Sequence, residues 1–283
     1  MTEKDLLKIC NTVRQDIVSM LNEAGSGHPG GSLSIVEILV ALYFGGVLNH
    51  DPKNHKLEDR DRFILSKAHA CPAHYAVLAE AGYFSKEELS TLRKLHSRLQ
   101  GHPDHNKFPY VETSGGALGE GLSIGLGMAL AATHDKKKWQ TYVLMSDGEQ
   151  EEGQTMEAMM FAKQNKVDNL TAIVDLNCLQ IDDCTIEVMG GDLVKQRYEA
   201  FGWHVQDIDG HNIEQIIEAC QTAQSVHKQP SVIIARTVKG KGVSFMEDKV
   251  GWHGKAPNKE ETEAALKELK EKAKKIEEIE EVI

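Results

Sequence analysis

Residues 146–183 constrain the fold more than any other part of the chain. They follow a short apolar run at 142–145, which has the length of one buried strand. Apolar residues at helical spacing over 155–163 come next, and a second apolar run covers 171–175. A strand, a helix and a parallel strand in this order form a right-handed crossover unit. The segment therefore predicts an α/β fold built on a parallel sheet.

Two polar residues follow the two predicted strands of this unit, Asp147 and Asn177. Open α/β sheets bind ligands at the carboxyl ends of their strands, so both side chains are expected in one crevice. A carboxylate and an amide oxygen suit Mg²⁺ or Ca²⁺ but cannot enclose either ion without further oxygens. An isolated Asp-Gly pair is more often only a turn. The spacing to Asn177 instead favours a partial metal site that a diphosphate would complete.

Composition excludes several classes of function. The chain has 283 residues and a net charge of −11, which argues against nucleic acid and anionic membranes as partners. Its five cysteines contain no Cys-x-x-Cys pair, which is typical of a reducing compartment. The first residues are charged, and no apolar run approaches the length of a membrane span. A cytoplasmic protein is therefore expected.

Periodicity and turn residues predict further elements on both sides of the central unit. The predicted helices are 5–24, one from Ser34, one after His69, 85–96 with a Ser85–Glu88 capping box, 114–132 and 213–223. The predicted strands are 62–66, 203–208 and 231–235. Lys and Glu at i,i+4 spacing predict a charged helical tail or connector over 258–283, which leaves 1–257 as the domain.

Three loops carry residues that could bind an anion or a sugar. His28 lies in a loop with four glycines, and His69 lies at a strand-to-helix turn. Glycines at 115, 116, 119 and 121 open a helix, although no strand directly precedes them as in a dinucleotide site. Taken alone, His28 is more typical of an ordinary surface loop, and His69 is as typical of a core histidine that bonds to the backbone. The glycines alone are weak evidence of an anion site.

The motifs together resemble a known family. Asp147-Gly148, Glu152-Gly153 and Asn177 resemble the thiamine diphosphate motif, and the details resemble transketolase. Gly-His-Pro at 27–29 and 101–103, Ala-His at 68–69, the glycines at 116–121, and Trp-His-Gly at 252–254 follow in that family's order. The resemblance extends to about residue 257. It implies an open, mostly parallel sheet with helices on both faces, the diphosphate-binding half of a thiamine diphosphate-binding fold.

The resemblance also implies roles for individual residues. Asp147, Asn177 and the carbonyl of Leu179 would hold Mg²⁺ or Ca²⁺, which clamps the diphosphate of thiamine diphosphate. The residues that would bind the cofactor are His69, Gly116, Ala117, Leu118, Asp147, Gly148, Glu152, Asn177, Ile181, Lys239 and His253. Four histidines would be catalytic, binding sugar hydroxyls and relaying protons as groups that titrate near neutrality: His28, His69, His102 and His253.

Only one half of such an enzyme is recognisable in the chain. The family's second half supplies a glutamate that activates the cofactor, aromatic residues that hold its pyrimidine ring, and basic residues for the sugar phosphate. None of these motifs is found here. The resemblance therefore implies a transketolase N-terminal subunit. It would need a separate C-terminal subunit, in two copies of each chain, to move a two-carbon ketol unit from a ketose phosphate to an aldose phosphate.

Other functions remain open at this point. The same cofactor serves enzymes of the deoxyxylulose phosphate synthase type and the α-chains of 2-oxo acid dehydrogenases. The four matching histidines and Trp-His-Gly favour transketolase over these. A binding module that holds the cofactor or a partner without turnover is a third alternative, although it would have little need for histidines that face a sugar.

Overall fold

The structure, a computed structural model, describes residues 1–279 and is built on one five-stranded sheet. Every neighbouring pair of strands is parallel. The strands are β1 (Arg62–Leu65), β2 (Thr141–Ser146), β3 (Leu170–Leu176), β4 (His204–Asp209) and β5 (Ser231–Arg236). Their order across the sheet is β1-β2-β3-β5-β4. The predicted parallel α/β sheet is confirmed, and each predicted strand is found within one residue of its expected position.

Ten α-helices connect and cover the strands in the described residues. They are α1 (Glu3–Ala24), α2 (Pro29–Leu33), α3 (Val36–Phe44), α4 (Cys71–Glu80), α5 (Glu120–His134), α6 (Gly153–Gln164), α7 (Thr185–Met189), α8 (Val194–Ala200), α9 (Ile213–Ser225) and α10 (Lys259–Glu277). Short 3-10 helices cover Ala68–Ala70, Lys86–Thr91, Gly148–Glu151, Gly191–Leu193 and Val250–Trp252. Among residues 1–279, no helix has both the length and the apolar character needed to cross a membrane.

Two apolar cores lie on opposite faces of the sheet. Tyr142 and Leu144 of β2 pack with residues of α1, α3, α4, α9 and α10. Val143 and Met145 of the same strand pack with residues of α5, α6 and α8. Successive side chains of a strand point to opposite faces, so a strand buried on both sides is apolar throughout. The predicted placement of helices on both faces is confirmed.

The register of the sheet brings the strand ends together. Ser146 at the end of β2 is paired with Asp175 of β3, and Leu176 at the end of β3 is paired with Arg236 of β5. The loops that follow these three strands therefore start at the same edge. They carry Asp147, Asn177 and Lys239.

Three local predictions are wrong. Only Lys86–Thr91 of the predicted helix 85–96 is helical, as a 3-10 helix. Arg93 and His96 have positive φ angles, which a right-handed helix does not allow. α5 starts at Glu120 instead of Ser114 because Gly119 has φ +83°. The predicted loop at 25–31 is helical from Pro29 onward, with the proline in the first turn.

The C-terminal segment is a helix that contributes to the core. Asn258 and Glu261 form a reciprocal cap at the start of α10. Ala265 and Leu269 are fully buried in the core that contains α1. Lys4 Nζ donates to the carbonyls of Glu277 and Ile279. The division of the chain at residue 257 stays a prediction, and residues 280–283 of the predicted tail lie outside the described residues.

Candidate active site

The loops at the carboxyl edge of the sheet enclose a cavity of about 430 Å³. This volume is within the usual range for small-molecule sites. The predicted site residues that line it are His28, His69, His102, Gly116, Leu118, Asp147, Gly148, Glu152, Asn177, Leu179, Ile181, Lys239 and His253. Ala117 does not line the cavity, although it lies between two residues that do. The structure therefore brings together residues that are far apart in the sequence.

Asp147 is held by the backbone at the end of β2. Its Oδ1 accepts from the Gly148 N–H at 2.8 Å, and its Oδ2 accepts from the Cys178 N–H at 2.5 Å. The second bond joins the loop after β2 to the loop after β3. Ser146 tightens the same turn, because its hydroxyl accepts from the Glu149 N–H at 3.2 Å. The side chain of Asp147 therefore has a fixed direction before any ligand binds.

Asn177 is oriented by a buried carboxylate that the sequence analysis missed. Its Nδ2 donates to Asp175 Oδ2 at 3.1 Å, so the amide oxygen faces the other way and accepts from the Leu179 N–H at 3.2 Å. Asp175 also accepts from Ser34, Thr237 and the ammonium of Lys67. Burial of Asp175 opposes ionisation, but the charge of Lys67 lowers its pKa. An ionised Asp175 thus fixes the amide of Asn177.

This donor set fits a hard divalent cation. The carboxylate of Asp147, the amide oxygen of Asn177 and the carbonyl of Leu179 are all oxygen donors, which Mg²⁺ and Ca²⁺ prefer. No group of three or more His, Cys, Asp or Glu side chains within residues 1–279 could hold a metal ion. The protein would therefore supply only part of the coordination shell, and a bound diphosphate and water would supply the rest.

The titration of Asp147 gives a first prediction. Burial and then the charge of Asp175 raise the pKa of Asp147 to about 6. We expect a ¹³C NMR titration of the carboxyl groups, without cofactor or metal, to show a midpoint near pH 6 for Asp147. The resonance of Asp147 is the one that is missing from the spectrum of the Asp147→Ala variant. A midpoint near the ordinary value of 3.8 would contradict the proposed burial and charge effects.

The same shift has consequences for stability and metal binding. The folded chain holds this proton more tightly than the unfolded chain, so Asp147 contributes less to the free energy of unfolding as the pH rises from about 4 to about 6. A metal ion needs the ionised carboxylate, so its affinity should fall as the pH drops below about 6. Acid therefore stabilises this part of the ligand-free chain while weakening its metal site.

Glu149 is a second buried carboxylate that the sequence analysis missed. It accepts from the Ser66 hydroxyl, from the Gly119 N–H at 2.8 Å and from the Ser146 N–H at 3.1 Å. These partners lie at the end of β1, before α5 and at the end of β2. A β-carbon on Gly119 would lie 2.7 Å from the β-carbon of Glu152, so this close turn requires glycine. Glu149 thus fixes the glycine loop relative to two strands.

Four histidine rings lie close together in the lining of the cavity. The ring centroid of His28 is 5.2 Å from that of His69, 5.6 Å from His253 and 6.4 Å from His102. The His69 and His253 rings are stacked at 5.4 Å. The buried Nδ1 of His28 has no hydrogen-bond partner within the described part of the chain.

The protonation state of these histidines differs from the prediction. Burial, followed by Arg93 and His102, lowers the pKa of His28 to about 4. Burial and then Lys239 lower the pKa of His253 to about 3. Burial also lowers the pKa values of His69 and His102. The expectation of titration near neutrality is wrong for His28, His69 and His253. These three are neutral imidazoles at pH 7, each able to donate one hydrogen bond and accept one.

Lys239 contacts both the proposed metal site and the group of histidines. Its Nζ donates to the Leu179 carbonyl at 2.7 Å and to Nδ1 of His253 at 3.0 Å. Since Nδ1 of His253 accepts this bond, the ring proton lies on Nε2. Burial, followed by the charge of Lys67, lowers the pKa of Lys239 to about 8. Lys239 is therefore still mostly a cation at pH 7 and is placed for an anionic ligand.

Exposed side chains lie in and near the lining of the cavity. Glu152 is exposed at the start of α6. Ile181 is 68% exposed, and Val188 and Met189 are exposed apolar residues of the same segment. On α6, Met160 and Phe161 are each about half exposed. Exposed apolar side chains in this number are typical of an interaction surface.

Comparison with known proteins agrees with this geometry. A family model described as "Transketolase, thiamine diphosphate binding domain" matches residues 6–283. The chain is 44% identical over 264 residues to an apulose-4-phosphate transketolase subunit of Phocaeicola vulgatus, covering 93% of each chain. It is 42% identical over 265 residues to a 6-deoxy-6-sulfo-D-fructose transketolase subunit of Clostridium sp. strain MSTE9, covering 94% of this chain and 96% of that one.

A solved structure has the same fold. The transketolase of Campylobacter jejuni superposes with a TM-score of 0.89 at 33% identity, over 97% of this chain and 43% of that one. The chain thus spans less than half the length of this transketolase, whereas it spans nearly all of the two subunits above. Since the family match covers almost every residue, the chain belongs to the transketolase family as its thiamine diphosphate binding domain.

Proposed function

We propose that the chain is the N-terminal subunit of a split transketolase, which transfers a two-carbon ketol unit from a ketose phosphate to an aldose phosphate. One observation carries this proposal. The cavity lining combines hard oxygen donors with four histidines, and Lys239 contacts both groups. The oxygen donors suit a metal-bound diphosphate, and the histidines suit the hydroxyls of a sugar.

Thiamine diphosphate fits the residues present. Asp147, Asn177 and the Leu179 carbonyl would hold Mg²⁺ or Ca²⁺ against its diphosphate, and the amides of the Gly116–Leu118 turn would approach the phosphate oxygens. When bound, the cofactor supplies an electron sink for cleaving the bond between two carbons of the sugar. The chain itself supplies orientation, charge and exclusion of water.

The histidines would act on the sugar as neutral groups. His28 and His102 are placed to hold hydroxyls, since both line the cavity and His102 is exposed there. His253 holds a proton on Nε2 while its Nδ1 accepts from Lys239. A neutral imidazole in this position can donate a proton to one oxygen of the sugar and later recover it. His69 is half-buried near the charge of Lys67, which suits contact with the cofactor.

The proposal includes a separate C-terminal subunit, with two copies of each chain in the assembly. The names of the P. vulgatus and Clostridium relatives describe subunits, and this chain matches nearly the whole of both. The exposed apolar side chains on α6 and in residues 181–193 support an interface beside the cavity. Two-fold pairing is the commonest symmetry of such assemblies. The five cysteines are all free thiols, which supports a cytoplasmic location.

The choice among enzymes of the same cofactor class rests on the relatives. Those described above are transketolases or transketolase subunits, which favours this function over an enzyme of the deoxyxylulose phosphate synthase type or a non-catalytic module. The substrates in the names of the two subunits carry a phosphate or a sulfo group. We therefore propose an anionic sugar as substrate of the assembled enzyme.

A second prediction separates the histidines by role. His28→Ala and His102→Ala should lower kcat/KM of the assembled enzyme about 5- to 150-fold, because each loses a hydrogen bond worth roughly 1–3 kcal/mol. The affinity for thiamine diphosphate should stay within about twofold. His69→Ala and His253→Ala should weaken cofactor binding as well.

Steady-state kinetics and calorimetry on the same preparations test this division. His227→Ala is the control, since His227 is exposed and is not part of the cavity lining. Its kinetics and cofactor affinity should match those of the unmodified enzyme. The division of roles would be wrong if all four cavity variants changed cofactor affinity equally.

A further inference from the structure

A buried group of charged side chains lies beneath the loop that carries Lys239, outside the cavity. It consists of Arg14 on α1, Glu37 on α3 and His211 in the turn after β4, and we call it the Arg14–Glu37–His211 cluster. The side chains are 8%, 7% and 12% exposed. Arg14 Nη2 lies 2.6 and 2.7 Å from the two carboxylate oxygens of Glu37, and His211 Nδ1 lies 2.9 Å from Glu37 Oε2.

The cluster contacts the backbone on both sides of Lys239. The Val238 N–H donates to His211 Nε2 at 2.8 Å, and Arg14 Nε donates to the Lys241 carbonyl at 2.9 Å. Since Nε2 of His211 accepts a bond, its ring proton lies on Nδ1 and is donated to Glu37. One tautomer of the neutral ring therefore satisfies both contacts.

Close packing prevents the loop from moving toward the cluster. A β-carbon on Gly242, which has φ +99°, would lie 2.6 Å from Cδ of Arg14. On the other side, the Gly240 N–H donates to the Gly30 carbonyl at 3.0 Å, which ties the loop to the segment after His28. The backbone of residues 238–242 is thus held on two sides, which fixes the backbone position from which Lys239 reaches the cavity.

The charges within the cluster are balanced. Burial alone would raise the pKa of Glu37, but the charge of Arg14 and the bond from His211 lower it to about 2. Glu37 is therefore ionised at all pH values at which the protein would be used. A buried, paired carboxylate of this kind is costly to disturb, because removing one partner leaves an uncompensated charge.

We propose that Arg14, Glu37 and His211 are positioning residues that hold Lys239 against the bound cofactor. They would act through the Val238 and Lys241 backbone, without touching the cofactor or the sugar. This inference rests on the proposed cofactor site. The alternative is that the cluster only stabilises the fold. Disrupting the cluster would then change cofactor affinity by the same factor with and without the Lys239 side chain.

A double-mutant cycle distinguishes these roles. Calorimetry would measure the Kd of thiamine diphosphate with Mg²⁺ for the chain assembled with its C-terminal subunit. We expect His211→Leu to raise Kd about tenfold, because the Val238 N–H loses the bond that positions the loop. In the Lys239→Ala background the same change should alter Kd less than about twofold. His227→Leu, an exposed histidine, should leave Kd unchanged in both backgrounds.

Equal effects of His211→Leu in both backgrounds, or no effect in either, would overturn the inference. If the unmodified assembly does not bind the cofactor, the proposed function itself fails and the inference fails with it.

Should His211→Leu not fold, His211→Gln replaces it, because the glutamine amide can donate to Glu37 and accept from the Val238 N–H. The Gln variant should then keep Kd within about threefold, and a tenfold loss with Gln would argue against positioning by these two bonds.

Hydrogen exchange gives a readout that does not depend on the cofactor. The Val238 amide should be protected from exchange in the cofactor-free assembly, since it donates a hydrogen bond to Nε2 of His211. We expect exchange at Val238 to become about tenfold faster in His211→Leu and to be unchanged in His227→Leu. Rapid exchange of Val238 in the unmodified protein would show that the bond does not hold the loop.

Discussion

We expect Asp147→Ala to abolish the Mg²⁺-dependent binding of thiamine diphosphate, weakening it about 100-fold or more. Asp147 is the one carboxylate in the proposed set of ligands, and the other two donors are neutral oxygens. It also accepts the Cys178 N–H, so its loss would free the loop that carries Asn177 and Leu179. The change therefore removes both the charge that binds the metal and the bond that places its other ligands.

Asp147→Asn removes the charge of the side chain without changing its size. The amide keeps the shape of the side chain but has no charge, and its NH₂ would face an N–H of Gly148 or Cys178. We expect a loss as large as with alanine. Asp168→Ala is the matched control. Asp168 lies in the loop that precedes β3, at the opposite edge of the sheet, and its carboxylate accepts from the Lys228 N–H. Calorimetry at several Mg²⁺ concentrations measures the effect, and unchanged cofactor affinity in Asp147→Ala would refute the assignment.

The second large effect concerns the polypeptide by itself. We expect it to show no ketol transfer with saturating thiamine diphosphate, Mg²⁺ and sugar phosphates, and to become active when the C-terminal subunit is added. Residues for a metal-bound diphosphate are present, whereas no motif of the half that holds the pyrimidine ring is recognisable in the sequence. The reaction needs both ends of the cofactor fixed, because reactive groups must be held in a near-attack geometry.

The assay should follow turnover while the C-terminal subunit is titrated into a fixed amount of this chain. Activity should rise and saturate at one C-terminal subunit per chain, and light scattering should show two copies of each. The lone chain should self-associate, since Met160, Phe161 and Met189 are all more than half exposed. Robust turnover without the second subunit would refute the split-enzyme proposal.

Local pattern predicted the central part of the fold well. The prediction for the segment from β2 to β3 is correct, because the short apolar runs of its strands differ clearly from the helical spacing of apolar residues in α6. The helix predicted over 85–96 failed because the capping pattern at Ser85 and Glu88 is a local signal. In the structure Ser85 bonds to Glu87 instead, and the chain turns at Arg93, whose backbone N–H bonds to the Leu99 carbonyl. Such a turn depends on contacts that a sequence window does not contain.

The candidate site was predicted through motifs, and its supporting residues were not. Lys67, Glu149 and Asp175 lie in or next to those motifs, but each acts through partners far away in the sequence. Only the fold places Asp175 against Asn177 and Lys67 at once. The same limit explains why His28 and His253 were wrongly expected to titrate near neutrality. Their pKa values are lowered by burial and by neighbouring cations, which the sequence does not place.

The packing of α10 on α1 has a consequence for how the chain folds. Leu6, Val13 and Ile17 of the first helix share a core with Ala265 and Leu269 of the last, so these contacts join residues some 250 positions apart. Contacts between distant parts of a chain form late, because a long loop must close first. During synthesis, the apolar stripe of α1 would stay partly uncovered until the last helix leaves the ribosome. A nascent chain of this length would therefore be a natural client for chaperones that shield apolar helices.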